Sequence, residues 1–247
     1  MKKQFKGLKN MNKVFRISLM AISLVLISCE IPENLNDNPN EITVSDVDAN
    51  LFLNGAQLAN AIVQVSHLNR ISGMYSGQLI GYTSLYSNIY GYSLSTVESN
   101  GEWNAAYIGV VANTRHIQAN APDDKLLVGI TQVLEAHAIS SLAILMGDVP
   151  FSEVLTDKEA PKFDSQKAAL DGCDALLSDA ITTLTGASSR SESYDIYYGG
   201  DKDKWIAAAY TLKARIALVK KDYASALSNA GTGISSSEGD MLSLIHI

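Results

Sequence analysis

The stretch from Asp123 to Met146 constrains the fold more than any other part of this sequence. Its apolar residues recur at three- and four-residue intervals, the spacing that places side chains on one face of an α-helix. Gly147 follows the last of them, and Pro150 prevents the helix from resuming. Because so long an apolar face must be covered by other helices, the sequence predicts a helical protein. The face consists of Leu127, Ile130, Val133, Leu134, His137, Ser141, Leu142 and Leu145.

The same spacing recurs along most of the chain. It predicts further helices over about 48–62, 103–117, 165–184, 201–219 and 222–234. Residues with side-chain oxygens stand where these helices begin, as capping requires: Ser45 with Asp48, Ser165, Asp201 and Asp222. Residues 67–101 contain five glycines and break the spacing, so we expect helix fragments and loop there. The predicted fold class is all-α, with loop-rich insertions.

The last two predicted helices resemble a tetratricopeptide pair. Trp205 and the small residues Ala214 and Ala217 lie on the first helix, and Asp222 begins the second. Small residues at a crossing let two antiparallel helices approach closely, and such pairs can stack into a scaffold. The stretch from Leu126 to Leu155 is the candidate for a second pair.

The N-terminus has the pattern of a lipoprotein signal. Residues 1–28 carry six basic residues and no acidic one, and their apolar run, Ile17–Ile27, is too short to span a membrane. Leu26-Ile27-Ser28-Cys29 resembles a lipobox, so we expect cleavage before Cys29 and lipidation of its thiol. The alternative is a secreted protein in which Cys29 has no such role.

We expect the rest of the chain to form one domain between two unstructured ends. Residues 29–44 are polar with two prolines, as in a flexible tether, and residues 45–241 carry the helical pattern. Residues 242–247 follow a Gly/Ser/Asp stretch without a continuing pattern, so we expect a truncated or non-native end there. A short natural strand is the alternative for these last residues.

The charge balance excludes some partners. Without residues 1–28, 13 of the 19 basic residues remain against 26 acidic ones, a formal charge of −13. Nucleic acid and anionic headgroups would be repelled by such a chain, so we expect no nucleic-acid partner.

Six of the eleven tyrosines lie between residues 75 and 107. Sugar rings present apolar C–H faces with rims of hydroxyls. A protein that binds a sugar without reacting with it therefore needs flat aromatic rings beside amides or carboxylates. Trp103 and Tyr107 also fit a helical stripe, where a core role is the alternative. The predicted ligand-binding residues are Tyr82, Tyr86, Tyr90, Tyr92, Asn88 and Trp103.

No pattern singles out a catalytic or metal site. A glycosidase would need two carboxylates across a cleft, and the acidic residues offer pairs without a signature that selects one. His67, His116 and His137 lack metal-ligand spacing, and Cys173 stands in an apolar helical pattern as a core residue would. We therefore expect no enzyme, metal or cofactor. The acidic candidates are Glu98, Glu102, Glu135, Asp148 and Glu153.

Three segments together resemble one family. The helix of Glu135–Glu153 ends in Gly-Asp-Val-Pro-Phe-Ser-Glu, and Ala160–Gln166 reads Ala-Pro-Lys-Phe-Asp-Ser-Gln. Tyr194–Asp201 reads Tyr-Asp-Ile-Tyr-Tyr-Gly-Gly-Asp, followed by Lys204-Trp205 and by Leu-Lys-Ala-Arg at 212–215. In order and spacing, these segments resemble the SusD/RagB family of outer-membrane lipoproteins, over residues 36–237. Members of that family are considerably longer than this chain.

The resemblance implies a function in nutrient uptake. It implies a lipid-anchored protein on the cell surface that binds a starch-like oligosaccharide and passes it to a SusC-type TonB-dependent transporter. Two alternatives stay open: a peptide-capturing member of the same family, and a surface glycoside hydrolase.

Overall fold

The computed structural model describes residues 48–95 and 98–241, and within them the fold is helical. The only β-pairing among these residues is an isolated antiparallel bridge between Val149 and Asp164. The all-α prediction is confirmed. The predicted signal, Cys29, the tether and residues 242–247 lie outside the described residues. The helices are α1 (Ala49–Val65), α2 (His67–Tyr75), α3 (Ser84–Tyr90), α4 (Asn100–Asn104), α5 (Asn113–Asn120), α6 (Lys125–Met146), α7 (Gln166–Thr185), α8 (Lys202–Val219) and α9 (Tyr223–Ala230).

Helix α6 is the centre of the core. It packs most extensively on α7 and also contacts α1, α5 and α8. In the described part of the chain it is the one helix long and apolar enough to cross a membrane, but most of it is buried inside the fold. Its apolar face therefore belongs to a protein core, as the spacing predicts.

Capping bonds confirm the predicted helix starts at Ser165, Asp201 and Asp222. Ser45 lies outside the described residues, and Asp48 is itself the cap of the first helix. Asp48 accepts a hydrogen bond from the Asn50 amide at 2.9 Å, and Ser165 accepts one from Ala168 at 3.2 Å. Asp201 and Asp222 cap α8 and α9 in the same way, and Asp124 caps α6. These bonds satisfy amides that have no partner within their own helix. At the other end of α6, Gly147 has a φ of +91°.

The predicted helix pair exists, but the second candidate is wrong. Helices α8 and α9 pack on each other across a turn at residues 220–222. Residues 147–165 form no helix, so 126–155 cannot be a pair, and α6 pairs with α7 instead. The sequence pattern locates α6 but does not show which later helix covers it.

A π-helical segment, Ala105–Ala112, joins α4 to α5 where the sequence predicts an ordinary helix. Gly109 lies against α1, and a Cβ at this position would come within 2.5 Å of the Ala59 Cβ. A glycine is therefore required at the closest approach of the two helices.

The connection between α6 and α7 is held by two of the motifs that resemble the family. The Asp164 carboxylate accepts hydrogen bonds from the amides of Phe151 and Ser152 at 3.0 and 2.7 Å. The bond from the Ser152 amide is the main reason why the pKa of Asp164 lies below its usual value. Asp148 accepts a bond from the Gln166 amide at 2.9 Å, so it stabilises the start of α7 as a turn residue.

A buried carboxylate, Asp195, organises the segment that precedes α8. It accepts five hydrogen bonds from neutral donors, each between 2.7 and 3.2 Å. A buried carboxylate is tolerated only when its oxygens are satisfied in this way. The donors are the Gln57 side-chain amide, the backbone amides of Tyr197, Tyr198 and Gly200, and the indole of Trp205.

The same network continues from α1 to α6. The Gln57 side-chain oxygen accepts a bond from the Ile196 amide at 2.8 Å, and the Tyr197 hydroxyl donates to the Gln57 carbonyl at 2.8 Å. The Asn60 side-chain nitrogen lies 3.2 Å from His137 Nδ1 on α6. Burial, together with the nearby Arg215, lowers the pKa of His137 to about 3, so the ring is neutral and can accept this bond.

Replacing Asp195 with asparagine tests the network. The Asp195→Asn variant turns one acceptor oxygen into a donor that faces other donors, so we expect the free energy of unfolding to fall by about 3 kcal/mol. Urea unfolding, monitored by circular dichroism, measures this free energy. The control is Asp203→Asn, an exposed position, with an expected change within about 0.5 kcal/mol. A loss no larger than the control's would contradict the assigned role.

The depressed pKa of His137 predicts a pH dependence. In the unfolded chain the His137 ring binds a proton near pH 6.5, whereas in the folded protein it stays neutral down to about pH 3. The free energy of unfolding should therefore fall as the pH drops through this window, by up to about 1.4 kcal/mol per pH unit. The His137→Gln variant should lose this slope between pH 6.5 and 4.5. Asp164, whose pKa lies below its usual value, titrates below that range. An unchanged slope would refute the assignment.

Candidate functional site

A groove lies between α2, the C-terminal end of α6 and the segment that leads into α4. Its volume is about 390 Å³, and its lining is mostly apolar. Grooves of this size with few polar groups are typical of small-molecule sites. The apolar lining is Leu68, Ile71, Tyr75, Leu94, Leu145 and Met146.

Glu98 lines this groove, and one of its carboxylate oxygens is unsatisfied. Its Oε2 atom is buried and has no hydrogen-bond partner among the described residues. A buried polar atom without a partner is uncommon, because it loses its bonds to water without replacement. A ligand that donates a hydrogen bond would supply the missing partner if this carboxylate turned toward the groove.

Two stacked tyrosines extend the wall of the groove. The Tyr75 and Tyr92 rings lie 5.0 Å apart with an interplanar angle of 21°, and Tyr75 lines the groove. Tyr92 is 75% exposed. The pair therefore offers a flat aromatic surface beside an apolar groove that contains one carboxylate.

The backbone at Tyr92 is held in an unfavourable conformation. Tyr92 follows the C-terminus of α3 with a φ of +61°, and its amide donates to the Ile89 carbonyl at 2.9 Å. Glycine or asparagine is common at such positions, and a bulky residue costs about 1–2 kcal/mol there. In this conformation the Tyr92 ring stacks on Tyr75. Ser84, Leu155 and Lys221 are the other described non-glycine residues with a positive φ.

The other predicted tyrosines differ in how available they are. Tyr82 is 87% exposed and Tyr90 44% exposed, whereas Tyr86 is half-buried. The Arg70 guanidinium lies 5.5 Å from the centre of the Tyr86 ring and occupies one of its faces. Asn88 is exposed on α3, and its carbonyl accepts a bond from the Ser93 amide.

Trp103 belongs to a second aromatic cluster. Its ring stacks on Tyr107 at 5.6 Å and meets the edge of Phe163 at 6.1 Å. The Tyr107 hydroxyl donates to the Pro150 carbonyl at 2.6 Å, and burial raises its pKa. Both rings pack against the core. The described contacts of Trp103 are thus those of a packing residue and do not join it to the exposed tyrosines.

Several of the acidic candidates have structural partners. Glu135 is buried and forms an ion pair with Arg115 at 2.8 Å, and Glu153 accepts a bond from the Lys162 amide. Cys173 is buried, and burial raises the pKa of its thiol. Within 48–95 and 98–241, no three His, Cys, Asp or Glu residues lie close enough together to hold a metal ion.

The sequence pattern did not identify most of the groove. Leu145 and Met146 look like core residues at the end of the α6 face, yet Leu145 is 44% exposed. Tyr75 stands among the six clustered tyrosines but is not one of the predicted ligand-binding residues. Apolar residues at a helix C-terminus, together with a tyrosine-rich loop, are the sequence signal from which the groove could have been predicted.

Comparison with known proteins identifies the family. A model of the SusD-like family, described as starch-binding and associating with the outer membrane, matches residues 39–238. A SusD/RagB family protein from Bacteroides thetaiotaomicron superposes with a TM-score of 0.71 at 23% identity, covering 79% of this chain and 44% of that one. A SusD-like protein from the same organism gives 0.61 at 20% identity, covering 76% and 42%.

A chitin-binding SusD homolog from Flavobacterium johnsoniae gives a TM-score of 0.58 at 22% identity, covering 76% of this chain and 43% of that one. A search among curated proteins finds no match. The chain spans less than half the length of these solved structures, which at such identities establish a shared fold. The family model matches most of the sequence and confirms the resemblance: this chain belongs to the SusD-like family, described as starch-binding and associating with the outer membrane.

Proposed function

We propose that this protein is a lipid-anchored surface protein that captures oligosaccharide and delivers it to a SusC-type TonB-dependent transporter in the outer membrane. The observation that carries the proposal is the groove with the Tyr75–Tyr92 pair on its wall and the unpartnered Glu98 oxygen. The family description and the chitin-binding neighbour support a glycan as the ligand.

The chemistry of the groove suits a sugar. The apolar C–H face of a sugar ring can stack on Tyr92, while a hydroxyl donates to Glu98 Oε2. The tyrosine rings are rigid and already stacked, so binding orders few side chains. Such contacts hold a ligand without breaking a bond, as capture and release require.

Lipidation of Cys29 supports delivery at the membrane. A lipid-modified Cys29 would hold the domain at the surface through residues 30–47. Mass spectrometry of the protein from its native membrane tests this part of the proposal. An unmodified N-terminus would refute it.

Calorimetry with maltooligosaccharides and chitooligosaccharides tests capture. We expect binding with no release of reducing ends over extended incubation. New reducing ends would favour a glycoside hydrolase, and binding of a peptide pool in place of glycans would favour a peptide-capturing protein.

Removal of one ring of the stacked pair should weaken glycan binding. We expect Tyr75→Ala to raise the Kd about tenfold, because one stacking contact is worth about 1.4 kcal/mol. Tyr223→Ala is the matched control, since Tyr223 is 64% exposed on α9. Alanine variants of Tyr82, Tyr86 and Tyr90 then show how far the binding surface extends. Unchanged affinity throughout this series would contradict the proposal.

Replacing Tyr92 with glycine should weaken glycan binding and leave the stability of the fold nearly unchanged. The Tyr92→Gly variant relieves the positive φ and loses the stacking on Tyr75, two opposing effects of about 1 kcal/mol each. We therefore expect little change in the free energy of unfolding but a clear rise in the Kd for glycan. Thermal unfolding and calorimetry measure the two. A variant that binds normally would show that the Tyr92 ring has no part in capture.

A further inference from the structure

The sequence contains two Asn-Gly pairs, Asn54-Gly55 and Asn100-Gly101, and the structure places them in opposite surroundings. An asparagine that precedes glycine is especially prone to spontaneous deamidation, because glycine has no side chain to hinder attack by its backbone nitrogen. The two pairs have the same local chemistry. A difference in their reactivity must therefore come from the fold.

The chemistry of deamidation sets two structural requirements. The backbone nitrogen of the glycine, after losing its proton, attacks the side-chain carbonyl carbon of the asparagine. A C–N bond forms, the side-chain nitrogen leaves as ammonia, and water then opens the resulting succinimide ring to aspartate or isoaspartate. The glycine N–H must therefore be free of a hydrogen-bond acceptor, and the backbone must leave the helical conformation so that the ring can close.

The pair Asn54-Gly55 lies in the interior of α1, where both requirements fail. The Gly55 amide belongs to a 17-residue helix, so it donates to the backbone carbonyl one turn earlier. The neighbouring Leu53 and Gln57 are fully buried, and the Gln57 side chain bonds to Asp195. Opening α1 at this point disrupts the core, at a cost that approaches that of global unfolding.

The pair Asn100-Gly101 forms the first two residues of α4, where both requirements can be met. Amides in the first turn of a helix have no partner within that helix. Within the described residues, Ser99 makes no side-chain capping bond to α4, and a glycine in the first turn weakens the helix further. Asn100 and Gly101 are both exposed. This first turn therefore opens at little cost.

The space around Gly101 also permits the reaction. Apart from its chain neighbours and the backbone of its own helix, no atom of the described residues lies within 4 Å of a Cβ built on Gly101. The Asn100 side chain and the Gly101 nitrogen can therefore approach each other without a clash. We propose that Asn100 is a site of spontaneous deamidation, whereas Asn54 is protected by the fold.

Deamidation at Asn100 alters the wall of the groove. Glu98 and Ser99 line the groove and directly precede Asn100 in the chain. Aspartate adds a carboxylate between Glu98 and the buried Glu102 in the sequence, and isoaspartate also lengthens the main chain by one carbon. The groove is thus displaced as the protein ages, which weakens oligosaccharide binding. This last effect rests on the proposed function.

Peptide mass spectrometry of the full chain, incubated at mildly alkaline pH in heavy-oxygen water, tests the proposal. The heavy oxygen marks acids that form during incubation, and digestion at low pH stops the reaction. In the native protein we expect Asn100 to deamidate at least about tenfold faster than Asn54, because opening costs least at a helix end. In urea the two should react at similar rates. Equal native rates, a faster reaction at Asn54 or reaction of Asn100 only in urea would overturn the proposal.

The matched variant is Gly101→Ala. Alanine fits the open space and favours the helix, and its methyl group hinders the attack. Circular dichroism should show a normal fold, and deamidation of Asn100 should slow at least about tenfold. An unchanged rate in this variant would contradict the mechanism.

Calorimetry with oligosaccharides before and after incubation measures the effect on the groove. The Kd of the unsubstituted protein should rise at least about threefold as isoaspartate accumulates, whereas Gly101→Ala should keep its affinity. Deamidation without a change in Kd refutes the effect on the groove. Fresh protein that binds no oligosaccharide refutes capture, and the deamidation rates then still decide the proposal for Asn100.

Discussion

The hydrogen bonds of the Asp195 carboxylate are the interaction on which the described structure depends. Their donors come from α1, from the turn before α8 and from α8 itself. Each donor is neutral, so the carboxylate is stabilised by bond number and geometry and not by an opposite charge. One side chain thereby fixes the relative positions of elements that are far apart in sequence. The family motif around Asp195 is explained by this structural role.

The network also determines what α1 presents to solvent. Because Gln57 and Asn60 must face inward to meet Asp195, Ile196 and His137, the aliphatic residues on the opposite side stay outside. The polar contacts on the buried side of α1 therefore explain why its exposed side is apolar.

Local sequence patterns predicted much of the helical framework, and long-range contacts account for most of what they missed. Asp48, Ser165, Asp201 and Asp222 predicted helix starts because capping depends on neighbouring residues alone. The pairing of α6 with α7 depends on the connection across residues 147–165, which no periodicity reveals. Likewise, Tyr92 was predicted as a ligand residue from composition, but its partner Tyr75 follows only from the path of the chain. Composition also does not show that Trp103 packs against the core, because this contact depends on the path of the chain.

The left-handed conformation of Tyr92 has a consequence for how the surface can change during evolution. At a position where the backbone prefers glycine, the strain offsets much of what a large side chain gains by packing, as at Tyr92 with its stacking on Tyr75. Selection for folding is therefore nearly silent about which residue stands there. Such a position can exchange one side chain for another while the helices beneath it remain intact, so that this surface can change without a new scaffold.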